Sequence, residues 1–190
     1  MASPVTSLQG RRVLLCVCGG IAAYKSADLV RRLREAGAVV RVAMTENAQR
    51  FVGAQTFQAL SGEPVRTSLW DPQAEAAMGH LELARWAQHV VVAPATANTL
   101  ARLAHGLADD LVGTLCLATE APLLLAPAMN HRMWRHPATQ DNVRTLQARG
   151  AALVGPDDGP LAEGESGPGR MAEPAAIVAA LQAPGADPAP

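Results

Sequence analysis

Four continuous apolar runs constrain the fold of this chain more than any other feature of its sequence. They lie within RRVLLCVCGG, AVVRVAMT, QHVVVAPA and APLLLAPA. Apolar runs without polar alternation are typical of strands buried on both faces of a parallel sheet. Helical patterns follow three of them, in SADLVRRLREAG, TANTLARLAHGLADDLVGTLCLAT and HPATQDNVRTLQARG. The sequence therefore predicts repeated strand–helix units.

Strands that alternate with helices predict the α/β class, with a doubly wound parallel sheet of Rossmann-like or flavodoxin-like type. AALVG and EPAAIVAAL predict a fifth strand and a final helix. We expect a single domain over residues 10–182, an extension over residues 1–9, and a flexible tail or cut linker over residues 183–190. The last of these is rich in proline, alanine and glycine.

The composition excludes several classes of function. A net charge of −1 and 3% aromatic residues argue against a nucleic-acid partner. No apolar run reaches the ~20 residues of a membrane span, and no secretory signal is evident. The cysteines, Cys16, Cys18 and Cys116, form no CxxC pair and lie in apolar sequence. We therefore expect no metal site, buried thiols and a cytoplasmic location.

Ligands of parallel α/β sheets bind beyond the carboxyl ends of the strands, which directs attention to four turns. In the first, Gly19 and Gly20 separate a strand from a helix. They could serve only a tight turn, or they could let an anion approach the helix amino terminus. Because the GxGxxG pattern is missing, the turn does not indicate a dinucleotide.

Polar residues follow the other strands. Thr45 could cap a helix or bind a phosphate, and capping is the simpler interpretation. Thr96, Asn98 and Thr99 crowd one turn, where a single residue would suffice as a cap. Their number favours a ligand with many hydrogen-bonding groups. Asn130, among apolar residues, could equally cap a helix or hold a carboxylate or amide of a substrate.

His80 is the histidine that we consider for proton transfer, because it begins an amphipathic helix in AAMGHLELARWA. Histidine exchanges protons near neutral pH. The remaining histidines lie in surface-like or polar sequence, and we expect them to be solvated. They are His89, His105, His131 and His136.

Over roughly residues 10–181 the sequence resembles the flavin-dependent cysteine decarboxylase family. The resemblance rests on GGIAAYK, AMGHLEL, PATANT, PAMNHRMW and GPGRMAEP, which occur in the family's order. It implies FMN as the cofactor and a homotrimer or dodecamer with the flavin between subunits. The residues implied to contact FMN are Gly19, Gly20, Ile21, Thr45, Thr96, Ala97, Asn98, Thr99 and Ala128.

The same resemblance implies the substrate site and the reaction. Asn130, Met133 and Ala162 would contact the substrate, and His80 would be catalytic on a flavin held mainly by a neighbouring subunit. Within the family the sequence is most similar to the branch that decarboxylates phosphopantothenoylcysteine in coenzyme A synthesis. There the cysteine is oxidised by FMN, loses CO₂ and is reduced again to a saturated thiol. A fused or separate phosphopantothenate–cysteine ligase is the implied partner.

One position departs from the family pattern. Many relatives carry ACGD or ACGE in the loop over the site, where the cysteine donates the last proton, and this chain reads AEGE. Glu163 could be the donor instead, since a carboxyl closed over a flavin can have a raised pKa. Otherwise the enzyme would release an enethiol, as peptidyl-cysteine decarboxylases do, or the loop would only cover the substrate. A non-catalytic regulatory flavoprotein is the remaining alternative.

Overall fold

The structure, a computed structural model, describes residues 8–70, 79–162 and 164–183. Its strands are β1 Arg12–Val17, β2 Val39–Met44, β3 His89–Ala95, β4 Leu123–Pro127, β5 Ala152–Leu153, β6 Asp157–Pro160 and β7 Ser166–Arg170. Its helices are α1 Ala23–Glu35, α2 Ala54–Ser61, α3 Gly79–Trp86, α4 Ala97–His105, α5 Leu111–Ala118, α6 His131–Arg135, α7 Pro137–Ala148 and α8 Pro174–Gln182, with a 3₁₀ helix over Glu46–Arg50.

The first five strands form one parallel sheet in the order β2-β1-β3-β4-β5. The predicted α/β class and doubly wound sheet are confirmed, and the order is that of a flavodoxin-like fold. The strand order reverses between the neighbours β1 and β3, so the connections that leave their carboxyl ends go to opposite faces of the sheet and leave a crevice between them. The strands β6 and β7 form a separate antiparallel hairpin.

Both faces of the sheet are buried, as the continuous apolar runs predict. In β1, Val13 and Leu15 pack into one cluster with residues of α1, α2 and α8. Leu14 and Cys16 point the opposite way, into a cluster with residues of α3, α4, α5 and α7. Alternate side chains of one strand therefore serve two cores, which is why no polar position interrupts the strand.

The long helical pattern after β3 is divided into two helices. The first ends at Gly106, whose φ of 67° is the left-handed conformation that glycine adopts most readily. The second begins at Asp110, whose carboxylate accepts a hydrogen bond from the N–H of Gly113 at 2.6 Å. Both boundary signals are in the sequence. None of the helices that the structure describes is long and apolar enough to cross a membrane.

The expectation that His89 is solvated is wrong. His89 is the first residue of β3 and is only 2% exposed. Its Nε2 lies 3.2 Å from Nη1 of Arg11. Burial lowers the pKa of His89, and the Arg11 charge lowers it further. The neutral imidazole is therefore the form that the fold accommodates.

This burial predicts a loss of stability in mild acid. Because the pKa of His89 is lower folded than unfolded, the unfolded chain binds the proton more readily, so stability falls as pH drops below about 6.5. Urea unfolding at pH 7.5 and pH 5.5 measures the loss. The loss should be smaller in His89→Gln and unchanged in the control His105→Gln, at the exposed end of α4. An equal loss in both variants would contradict this role for His89.

Candidate functional site

A cleft of about 660 Å³ opens at the crevice between the carboxyl ends of β1 and β3. Four segments line it: the turn before α1, the turn after β3, the segment around α6 and the hairpin. Together they bring the following predicted site residues into one cavity: Gly19, Gly20, Ile21, Thr96, Ala97, Ala128, Asn130, Met133 and Ala162. The cleft thus lies where parallel sheets bind their ligands.

Glycine is present at the two positions of the first turn for different physical reasons. A Cβ at Gly19 would lie 2.5 Å from the Cβ of Asn47, so packing within the chain requires glycine there. A Cβ at Gly20 would lie 3.6 Å from the methyl of Thr96, which is ordinary contact. The fold alone therefore explains Gly19, whereas Gly20 leaves space that a ligand could use.

The amino terminus of α1 borders the cleft and lacks a side-chain cap. Among the residues that the structure describes, none caps it with a side chain, and Ala22 stands at the N-cap position. At its start the N–H groups of Ala23 and Lys25 donate to the carbonyls of Gly20 and Ala22, and the positive end of the helix dipole borders the cleft beside Ile21. Helix amino termini of this kind bind anionic groups such as phosphates.

The polar turn after β3 is only partly directed at the cleft. Thr96 lines the cleft and caps α4, because its hydroxyl accepts from the N–H of Thr99 at 3.2 Å. The Thr99 hydroxyl is buried 3.0 Å from the Thr96 hydroxyl, and Asn98 is exposed. Of the described residues in this turn, Thr96 alone caps α4. That Asn98 and Thr99 contact a ligand stays a prediction.

Thr45 lies outside the main cleft. It caps the 3₁₀ helix, with its hydroxyl 3.3 Å from the N–H of Ala48, and its own N–H donates to the carbonyl of Val17. Its side chain lines a smaller cleft of about 130 Å³ together with Trp70 and Asp110. Capping is confirmed, and a phosphate contact stays a prediction.

Asn130 both caps a helix and lines the cleft. Its Oδ1 accepts from the N–H of Arg132 at 2.7 Å, which fixes the side chain at the start of α6. One turn later Met133, half exposed, lines the same cleft. Capping accounts for the Oδ1 atom, and it places the amide of Asn130 at the cavity with a fixed orientation.

The cysteines are buried thiols rather than reactive groups. Burial raises the pKa of Cys18 to about 12, although a hydrogen bond with Thr99 partly opposes this effect. The pKa of Cys16 is raised through its contact with Cys116 and through burial. All three are free, as the sequence predicts. Cys18 is not among the residues that line the cleft.

His80 is held away from the cleft of its own chain. It lies in the first turn of α3, which packs on α5 and is tied to β2 by a contact of 3.3 Å between Glu82 and Arg41. Of the described residues that line the cleft, none comes from α3. Glu163, the other predicted catalytic residue, lies outside the described residues, between Ala162 and Gly164.

Two cationic side chains at the cleft are not among the site residues predicted from the sequence. Lys25 and Arg170 both line it, and the ammonium of Lys25 lies 2.7 Å from the carboxylate of Glu173. That hydrogen bond lowers the pKa of Glu173. The signal for Lys25 was present, since it lies in the first turn of a helix that begins at a strand end. Position 170 carries no comparable signal.

The comparisons with known proteins agree with this geometry. The family described as Flavoprotein matches residues 1–184. The coenzyme A biosynthesis bifunctional protein CoaBC of Escherichia coli (strain K12) is 57% identical over 172 residues, which is 90% of this chain and 42% of the relative. This chain therefore spans less than half the length of the curated relatives that it matches.

Two solved structures share the fold. A cysteine-to-serine mutant of PPC decarboxylase, complexed with pantothenoylaminoethenethiol, is 34% identical with a TM-score of 0.80, covering 92% of this chain and 97% of that one. The FMN-dependent cysteine decarboxylase SpaF is 31% identical with a TM-score of 0.76, covering 92% and 99%.

Proposed function

This chain belongs to the flavoprotein family, as its sequence resemblance predicts, and we propose that it is an FMN-dependent decarboxylase of phosphopantothenoylcysteine. The product is 4'-phosphopantetheine, an intermediate of coenzyme A synthesis. The observation that carries the proposal is the single cleft at the β1/β3 crevice, which unites the glycine turn, Thr96 and Asn130. Support comes from the CoaBC relative and from PPC decarboxylase.

The residues of the cleft fit FMN. The start of α1 borders the cleft without a side-chain cap, and the positive end of its helix dipole suits a phosphate. Gly20 leaves room for close approach, and Thr96 and Ala97 line the next turn. FMN supplies the electron sink that accepts two electrons from the cysteine and makes loss of CO₂ possible. The protein supplies binding, orientation and proton transfer.

The chain's own residues then act on the substrate. We assign to Asn130 the binding of the substrate's carboxylate or its adjacent amide, because α6 fixes this side chain at the cavity. Met133 and Ala162 give it an apolar wall. His80 accepts the proton of the substrate thiol or stabilises the charge that develops during the reaction. The hairpin closes the cleft from the remaining side and restricts water.

Because His80 lies outside its own cleft, we propose that it serves the flavin site of a neighbouring subunit. Ile21 and Tyr24 at the cleft rim are 63% and 61% exposed, which suits contact with a second copy. A homotrimer, alone or stacked into a dodecamer, is the assembly that we infer. Each cleft would be completed at a subunit interface.

A second candidate function is oxidative decarboxylation of a peptide's carboxy-terminal cysteine with release of the enethiol. It is favoured by one observation, the Glu163 that stands where relatives carry the donor cysteine. The likeness to SpaF supports the same reaction class. We rank it second because PAMNHRMW, AMGHLEL and GPGRMAEP resemble the coenzyme A branch.

We also propose the cellular context. A phosphopantothenate–cysteine ligase, fused or separate, would supply the substrate, since the CoaBC relative is named as bifunctional. The three free thiols suit a reducing cytoplasm.

One assay tests the proposal. The purified protein should show flavin absorbance, and offered phosphopantothenoylcysteine it should release CO₂ and the saturated thiol. Enethiol with the flavin left reduced would favour the oxidative alternative. A protein with no flavin and no CO₂ release would support a regulatory protein instead.

Gly20→Ala is expected to weaken flavin binding without unfolding the chain. The added methyl meets Thr96 at ordinary contact distance, yet occupies space at the cleft. We expect the Kd for FMN to rise about ten-fold, the usual scale for one crowding methyl. Flavin titration of the apoprotein measures it. Gly53→Ala, which adds a methyl to open space at a φ of −68°, is the control and should bind normally. Equal affinities would contradict the placement of FMN at Gly20.

A further inference from the structure

The hairpin of β6 and β7 depends on contacts outside itself for its position. Within the described part of the chain, β6 and β7 pair with each other, antiparallel, and with no edge of the five-stranded sheet. Its turn is closed by a hydrogen bond from the N–H of Leu161 to the carbonyl of Glu165 at 2.8 Å. Isolated two-stranded hairpins are marginally stable in water, so docking decides where this one lies. Ala162, at its turn, lines the cleft.

Two glycines let β7 lie directly on the backbone before and at the start of α6. The N–H of Met129 donates to the carbonyl of Gly169 at 3.0 Å, and a Cβ at Gly169 would overlap the carbonyl oxygen of Met129. A Cβ at Gly167 would lie 3.1 Å from the Cβ of His131. The hairpin therefore docks on the same segment that presents Asn130.

A carboxylate near the turn reaches across this contact. Glu165 Oε1 lies 2.7 Å from Nη2 of Arg132, and its Oε2 lies 3.3 Å from Nδ1 of His131. The His131 side chain is only 14% exposed, so the expectation that it is solvated is wrong. Both partners of Glu165 belong to α6, between Asn130 and Met133 in sequence.

We propose that Glu165 is a positioning residue, whose carboxylate holds the hairpin over the substrate-binding residues of α6 through Arg132 and His131. This inference rests on the proposed function and deepens it. Glu165 is not among the described residues that line the cleft. It acts by keeping the hairpin turn, with Leu161 and Ala162, at the cleft that Asn130 and Met133 also line. The chemistry in the cleft thus depends on an ion pair outside it.

Glu165 increases the fraction of molecules in which the hairpin is docked on α6. An exposed ion pair changes such an equilibrium by about two- to five-fold. KM should then rise by no more than this factor, because the docked hairpin forms one wall of the substrate site and the undocked fraction lowers the apparent affinity. We expect kcat at saturation to be unchanged.

Hydrogen exchange and steady-state kinetics of the flavin-loaded protein test the proposal together. In Glu165→Gln, the amide of Met129, which donates to Gly169, should exchange about two- to five-fold faster. The KM for phosphopantothenoylcysteine should rise, by no more than that factor. Glu35→Gln is the matched control, since Glu35 is an exposed acid at the end of α1. It should change neither quantity.

A charge exchange separates this ion pair from a general structural effect. Glu165→Arg and Arg132→Glu should each increase the exchange of the Met129 amide and raise KM. Combined in one chain, they should bring both values back toward those of the wild type. Additive defects in the double variant would overturn the proposal, as would unchanged exchange in Glu165→Gln. Faster exchange with an unchanged KM would also overturn it, because the hairpin would then not serve the site.

The two measurements separate failure of this inference from failure of the proposed function. If the wild type releases no CO₂ from phosphopantothenoylcysteine, the proposed substrate is wrong. The exchange of the Met129 amide needs no substrate, so it still decides whether Glu165 holds the hairpin.

Discussion

His80→Asn is expected to reduce CO₂ release by about 100- to 10,000-fold, the usual range for a lost general acid or base. Flavin content should be unchanged, because the residues proposed to hold FMN come from the cleft of the other subunit and His80 only completes that site. The measurement is single-turnover release of CO₂ from phosphopantothenoylcysteine beside the absorbance spectrum of the bound flavin. A variant that keeps wild-type release would remove His80 from the mechanism.

Mixed assemblies test where His80 acts. Asn130→Ser is the second inactive variant, since serine retains the cap of α6 and removes the amide. If each site takes Asn130 from one subunit and His80 from the next, random co-assembly leaves about a quarter of the sites with both residues intact. Co-expression of His80→Asn with Asn130→Ser should then restore about that share of wild-type activity. Activity as low as in either variant alone would place both residues in one chain.

The sheet could be predicted because its signals are local. Each strand is a continuous apolar run, and both faces require the same kind of residue, so RRVLLCVCGG could hardly form anything but a buried strand. The division of the helical pattern after β3 was missed although Gly106 and Asp110 mark it. A run of apolar residues at helical spacing outweighed one glycine and one capping acid.

The site was predictable only where a strand end defined it. Gly20, Thr96 and Asn130 follow the carboxyl ends of neighbouring parallel strands, so their meeting in one cleft could be inferred. The burial of His89 and the pairing of His131 with Glu165 join residues far apart in the sequence. No periodicity encodes such contacts, because they arise from packing between separate elements.

Replacing the carboxyl group of residue 163 with an amide is expected to change the product of the reaction. Glu163→Gln should still release CO₂, while the product shifts from the saturated thiol to the enethiol. The reason is a balance of electrons and protons. Loss of CO₂ with transfer of two electrons to the flavin leaves an enethiol, and saturation requires those two electrons back together with a proton. Glutamine keeps the size of glutamate and cannot donate that proton.

An anaerobic single turnover, with one equivalent of substrate per flavin, distinguishes the outcomes. Wild-type flavin should end oxidised beside saturated thiol, whereas flavin in Glu163→Gln should stay reduced beside the enethiol. Glu163→Cys is the matched variant, because a thiol is the donor that relatives use at this position, and it should restore the saturated product. Saturated thiol from Glu163→Gln would remove Glu163 from the reduction. Enethiol from the wild type itself would instead identify an oxidative enzyme, in which Glu163 covers the substrate without donating a proton.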